Sequence, residues 1–277
     1  MSMLALPSGD TVLAVERWPG ERPPVVLLHA GVADRRSWTG VAEPLAALGA
    51  DVIAYDRRGF GETAARSQDF RHLDDLLVVL DATAAERPAW LVGNSQGGLI
   101  ALDLALSAPE RVAGLVLLAP AVSGAPDPGD HDLDAATLRL SDAIDAAYEA
   151  GHADELNRLE VALWLDGPAG PEGRVGGPAR ALALDMNAIA LRSPVPDDAG
   201  TSGLDAWSRL EEILVPATLA WGELDLPIII DRCRELADRL PELRDTRVIQ
   251  GTAHLPTLEQ PQVVADLIAA ATGMPDG

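Results

Sequence analysis

The 277-residue chain is 48% apolar and 23% charged, with 25 Gly and 21 Pro, a composition that excludes disordered and collagen-like chains and suffices to bury a large core. Against 43 acidic residues stand 21 basic ones, all of them Arg, for a formal net charge of −22; a field of that sign repels phosphate backbones and anionic lipid, which argues against nucleic acid and membrane surfaces as partners. Apolar runs such as Leu115 to Ala119 and Ile228 to Ile230 fall far short of the ~20 residues that span a bilayer. The lone cysteine, Cys233, cannot form an internal disulfide. Met1 to Asp10 has neither the basic start nor the apolar core of a signal peptide, so a cytoplasmic location is expected. The acidity fits either adaptation to high salt or a GC-rich coding bias toward Ala, Arg, Gly, Pro and Asp, and the second is the simpler account.

In chain order, short apolar runs alternate with Ala- and Leu-rich amphipathic stretches. A strand near Thr11 to Glu16, able to join in antiparallel fashion, precedes buried strands at Pro24 to His29, Asp51 to Asp56, Trp90 to Asn94, Gly114 to Ala119, Ala217 to Trp221 and Thr246 to Gln250. Helices are expected at Trp38 to Leu48, His72 to Glu86, Gln96 to Ser107, Asp231 to Leu240 and Gln262 to Ala271. Strand and helix in turn predict an α/β chain with a mostly parallel, doubly wound sheet. Between Ser123 and about Asp205 the alternation breaks, and three helical pieces (Asp132 to Ala150, Ala153 to Leu165, Pro178 to Leu191) are separated by runs rich in Gly and Pro. The expected organisation is a core of residues 1–123 and 206–277 with a helical cap, 124–205, over the strand ends where open sheets bind ligands.

The chemistry gathers at those ends. Gly93-Asn94-Ser95-Gln96-Gly97 is G-x-S-x-G placed directly after an apolar strand and before a helix, the context in which the motif presents a nucleophile on a sharp turn. Small residues two before and two after the Ser relieve collisions there, and the helix N-terminus favours an oxyanion. A Ser hydroxyl needs a base to take its proton. Of five histidines, His72, His131 and His152 read as solvated and His29 as the start of a Gly-containing loop, whereas His254 follows the last strand at the edge that carries Ser95. A carboxylate must orient that base. Asp225 and Glu223 both follow the preceding strand, and Asp225, leading into Pro227, is favoured. The resulting order is Ser, Asp, His.

The loop at His29-Ala30-Gly31, the turn Asp56-Arg57-Arg58-Gly59-Phe60-Gly61, the elbow at Ser95, the loop Gly222 to Asp225 and the segment His254 to Pro261 together resemble the α/β-hydrolase superfamily from about Val12 to Thr272. The resemblance implies that fold, with a helical cap inserted after the sixth strand. It implies Ser95 as nucleophile, His254 as base, Asp225 as its partner, and the backbone N–H groups of Gln96 and Gly31 as the oxyanion hole, with Val32 the alternative to Gly31. Arg57 and Arg58 are read as structural. The ending His254-Leu255-Pro256 is similar to enol-lactone hydrolases and small carboxylesterases, while Gly93-Asn94 is similar to C–C bond hydrolases, from which Leu255 departs.

The implied activity is a serine hydrolase acting on a small-molecule carboxylic ester or lactone. C–C bond hydrolysis, cofactor-free haloperoxidase or perhydrolase chemistry, and a non-catalytic receptor are the alternatives. No cofactor and no metal are called for, since ligand-spaced clusters are lacking and Gly59-x-Gly61 has no third Gly. In the insert, Trp164, Met186, Ile189 and Trp207 either line a substrate pocket or form the insert's own core.

Overall fold

The computed structural model describes residues 1–66, 69–85, 87–127, 129, 133–193 and 199–274. Its frame is an eight-stranded sheet built from β1 (Ser2–Ser8), β2 (Thr11–Trp18), β3 (Pro24–Leu28), β4 (Asp51–Tyr55), β5 (Ala89–Asn94), β6 (Val112–Leu118), β7 (Ala217–Gly222) and β8 (Leu243–Ile249), in the order β1-β2-β4-β3-β5-β6-β7-β8. The six strands from β3 onward run parallel; β1 and β2 are antiparallel to their neighbours. The central strands β3, β4 and β7 are buried at every position, as strands covered by helices on both faces must be, and their unbroken Val, Ile, Leu and Ala content follows from that.

On one face α2 (His72–Thr83), α3 (Gln96–Ser107) and α7 (Pro227–Arg239) bury Leu76, Leu80, Leu102, Leu104, Cys233 and Leu236 against Leu13, Ile53, Leu91 and Leu115. On the other, α1 (Thr39–Ala47) and α9 (Pro261–Ala271), which follows the single-turn α8 (Pro256–Glu259), bury Val41, Leu45, Val264 and Ile268 against Val25, Leu27, Val52 and Val116. The β3 and β5 side chains thus alternate between the two cores.

After the sixth strand come α4 (Ala135–Glu149), α5 (Ala153–Val161) and α6 (Gly177–Leu191). The two ends of this stretch meet on the main body. Ser123 takes the Trp207 N–H on its carbonyl at 2.9 Å and the Ala206 N–H on its hydroxyl at 3.1 Å, and the buried Asp103 of α3 accepts from the hydroxyls of Ser123 and Ser202.

The sequence reading differs from the structure at the sheet edges. Strand β1 is unforeseen, because Ser2–Ser8 exposes most of its side chains and contains Pro7. Strand β8 begins at Leu243, three residues before the expected start, since Arg244, Asp245 and Arg247 on an outer strand hide its period. Helix α7 begins at Pro227, the first-turn position its fixed φ suits. The expected helix ends at Glu86 and Asp132 lie outside the described residues, as does His131. No described helix is long and apolar enough to cross a membrane.

Candidate active site

Ser95 stands between the end of β5 and the start of α3 with φ 54° and ψ −117°, a left-handed conformation that a side-chain-bearing residue holds only where its surroundings enforce it. The enforcement is close packing. A Cβ on Gly97 would lie 2.1 Å from the Leu28 carbonyl oxygen, and one on Gly93 would lie 2.5 Å from the Gly97 carbonyl, so only glycine lets strand and helix approach this closely. The Ser95 N–H donates to the Leu118 carbonyl at 3.0 Å, and its own carbonyl accepts from Gly98, Leu99 and Ala121. The backbone of the turn is held on three sides. Ser95 directly precedes the first turn of α3, whose leading N–H groups have no partner within the helix.

Asp225 follows β7 and His254 follows β8, so both reach the C-terminal edge of the parallel strands where β5 delivers Ser95. Both are buried. His254 Nδ1 lies 2.8 Å from Asp225 Oδ2, while Asp225 Oδ1 accepts from the Leu226 N–H at 2.8 Å. With Nδ1 donating to the Asp225 carboxylate, the Nε2 lone pair is left as the acceptor of the ring. Glu223, the competing acid, is exposed and accepts from the Gly251 N–H instead. Asn94 adds a link that the sequence does not announce. Its Nδ2 donates to the His254 carbonyl at 3.2 Å and to the Leu118 carbonyl at 3.0 Å, tying the elbow strand to the histidine loop.

Neither the Gly31 nor the Val32 N–H is taken up by an acceptor among the described residues, whereas Ala33 N donates to the Ala30 carbonyl and Asp34 N to Met186 Sδ. A Cβ on Gly31 would lie 3.0 Å from the Gln96 carboxamide. Gly31 and Gln96 therefore face each other across the elbow. His29 is fully buried. Its Nε2 accepts from the Arg57 N–H at 3.1 Å and its Nδ1 meets the Ala30 carbonyl at 2.8 Å, a neutral tautomer that burial and the Arg57 charge keep well below the ordinary histidine pKa.

Two of the four expected pocket residues meet the site. The Trp164 ring lies 4.7 Å from the His254 ring, tilted by 44°, and the Trp164 carbonyl accepts from the His254 N–H at 3.2 Å. Met186 is buried with Ala30, Ala33 and Leu255, so the insert packs directly on the loop after β3 and on the histidine loop. Ile189 is half-buried on α6. Trp207 does not join them. It lies past the insert, packed on the sheet-side core, with the Arg239 and Arg232 guanidinium groups 5.1 and 5.7 Å from its ring centroid.

Two further readings need revision. His72 is not solvated: burial, with Arg57 and Arg58 nearby, pulls its pKa down to about 3. Arg58 is the structural residue expected, paired with Asp75 and Asp10. Arg57 instead borders a cavity of about 90 Å³ with His72, Gln96 and Leu99. Its consecutive position in the turn hides this difference, because side chains at successive positions of an extended segment leave on opposite sides. Among the described residues no cluster of three or more His, Cys, Asp or Glu side chains is placed to hold a metal ion.

Residues 23–261 match the family model of the alpha/beta hydrolase fold. The chain belongs to that family. The pimeloyl-[acyl-carrier protein] methyl ester esterase of Aliivibrio salmonicida is 35% identical, over 86% of this chain and 87% of that protein. The rhodomycin D methylesterase DauP of Streptomyces sp. strain C5 is 29% identical over 90% of each chain. Among solved structures, Est816, an N-acyl homoserine lactone degrading enzyme, superposes with a TM-score of 0.72 at 25% identity, covering 96% of this chain and 99% of its own.

Proposed function

We propose that this hydrolase-fold chain is a serine hydrolase that cleaves a small carboxylic ester or lactone through an acyl-enzyme, with Ser95 as nucleophile, His254 as base and Asp225 as the residue that orients it. The observation that carries the reading is the buried 2.8 Å contact between His254 Nδ1 and Asp225 Oδ2, at the same sheet edge as the strained turn that presents Ser95. Relatives named as methyl ester esterases and a structural neighbour named for lactone degradation support the same bond class.

His254 Nε2 takes the hydroxyl proton as Ser95 Oγ bonds to the carbonyl carbon. The carbonyl oxygen becomes an alkoxide held by the N–H groups of Gly31 and Gln96. Its collapse breaks the bond to the alcohol, which leaves with the proton from Nε2. Water, deprotonated at Nε2, then attacks the acyl carbon; collapse returns the proton to Ser95 and releases the acid. Asp225 stays ionised throughout and keeps the imidazole in the required tautomer and orientation.

Residues 124–205 act as the cap, and Trp164 with Met186 forms the wall that excludes water from His254. This reading places the protein in the cytoplasm with a small-molecule substrate, and the formal net charge of −22 argues against nucleic acid and anionic membrane surfaces as partners. The test is steady-state turnover on a panel of p-nitrophenyl esters, lactones and vinylogous diketones. Ester or lactone turnover that is lost in Ser95→Ala is expected. Turnover confined to the diketones would assign C–C bond hydrolysis, and binding without turnover would assign a receptor.

A further inference from the structure

Arg57 carries a buried charge that no carboxylate of the described residues pairs. It is 2% exposed, yet it forms no ion pair with a carboxylate of any described residue, in contrast to Arg58 beside it. Its partners are neutral. Nη1 donates to Gln96 Oε1 at 2.8 Å, Nη2 donates to the Ala30 carbonyl at 3.1 Å, the guanidinium lies 4.4 Å from the Phe60 ring centroid, and Nε is buried with no hydrogen-bond partner. Burial pulls its pKa down to about 10, against the opposing effect of Tyr55, which still leaves a cation at neutral pH. Burying a charge without a counterion is costly, and replacing such a group by an apolar one is often neutral or stabilising.

The neutral groups it touches identify what the charge serves. The Ala30 carbonyl belongs to the same peptide unit as the Gly31 N–H, and it also receives His29 Nδ1 at 2.8 Å and the Ala33 N–H at 3.2 Å. A carbonyl that accepts strong donors polarises the N–H at the other end of its amide. Gln96, held at its side-chain oxygen by Nη1, contributes the opposite backbone N–H and lies against Gly31. One guanidinium therefore spans both sides of the oxyanion hole, in surroundings where an ionic interaction is far stronger than in water.

We propose that Arg57 is the positioning residue of the oxyanion hole: it fixes the Ala30–Gly31 peptide unit and Gln96, and its positive charge, which no carboxylate of the described residues pairs, favours the tetrahedral oxyanion that forms on Ser95. This rests on the serine hydrolase reading above. A charge matched only in the transition state raises kcat and leaves KM unchanged.

The test compares the wild type with Arg57→Met and Arg57→Lys in three measurements: kcat and KM on p-nitrophenyl butyrate, inhibition by phenylboronic acid, whose serine adduct is an anionic tetrahedron, and Tm. In Arg57→Met we expect kcat to fall about 10- to 100-fold, KM to hold, boronic acid affinity to fall in parallel, and Tm not to fall. Arg57→Lys should recover part of the loss. An Arg57→Met variant with unchanged kcat, with a raised KM at constant kcat or with undiminished boronic acid affinity would overturn the proposal. If Arg57→Met does not fold, Arg57→Gln, which keeps a donor for the Ala30 carbonyl and removes the charge, carries the same readouts. Failure of the underlying hydrolase reading is separately visible, because the wild type would then neither turn over the ester nor bind the boronic acid.

Discussion

At the scale of single residues, the site depends on a few side chains whose partners are unambiguous in space. His254 reaches Asp225 and not Glu223, which is exposed and occupied with the Gly251 N–H. Asp225→Asn should therefore cost about 10⁴ in kcat and Ser95→Ala about 10⁶, while Glu223→Gln should leave kcat within a few-fold of the wild type. Steady-state kinetics on folded protein, with circular dichroism as the control, check all three, and a slow Glu223→Gln beside a fast Asp225→Asn would reassign the acid. The three proposed triad residues are legible in the sequence because each sits in a local context that its chemistry requires: an elbow glycine pair around Ser95, a strand end before Asp225 and His254. Arg57 is not legible in this way. Nothing in Asp56-Arg57-Arg58 says that one arginine pairs with acids 17 and 48 positions away in the chain while its neighbour turns inward to Gln96.

At the scale of elements, the histidine loop is clamped to the insert by one side chain. Arg174 donates to the carbonyls of Leu165, Asp166 and Gly251 and pairs with Glu259, whose other oxygen accepts the Ala253 N–H at 2.8 Å. The Gly- and Pro-rich run from Gly167 is thus a built loop, held from within by the buried Asp166, which accepts from the Gly173 and Val175 N–H groups and pairs with Arg180. Sequence periodicity misses such a loop, since its order comes from side chains bonding to distant backbone. Burial outweighs the Arg174 charge at Glu259 and raises its pKa from 4.5 to about 7. A raised carboxyl pKa means that the folded state holds a proton the unfolded state has released, so this stabilisation is full below pH 4.5 and is lost as pH rises through 7. The difference in Tm between the wild type and Glu259→Gln should accordingly be more favourable to the wild type at pH 5 than at pH 8. Thermal melts at both pH values measure it, and a difference that shifts toward the wild type as pH rises would mean that the ion pair with Arg174 dominates.

At the scale of the whole molecule, the parallel core is the part that the sequence declares most plainly. Strands β3 and β4 are buried along their whole length, and a run such as Pro24 to Leu28 has no other use in a protein of this composition. The edges are less plain: β1 exposes most of its side chains and contains Pro7, and the charges that discourage pairing at β8 erase the pattern by which strands are recognised. The same charge governs the molecule's response to salt. With a formal −22 over the chain, self-repulsion opposes the compact state, and it is screened as the Debye length falls from ~30 Å at 0.01 M to ~3 Å at 1 M salt. Tm should climb with NaCl across that range. A flat or falling curve would show that local pairs, such as Arg209 with Glu212 and Arg239 with Glu211, already neutralise the field.

The central claim is that Ser95 forms a covalent bond with the substrate. Intact-mass and peptide-mass spectrometry after treatment with a fluorophosphonate probe addresses it most directly, because such probes react with a serine only when a base and an oxyanion hole activate it. A single adduct is expected, on the peptide containing Ser95, absent in Ser95→Ala and much slower to form in Asp225→Asn. A folded wild-type protein that stays unlabelled, or an adduct on any residue other than Ser95, would contradict it.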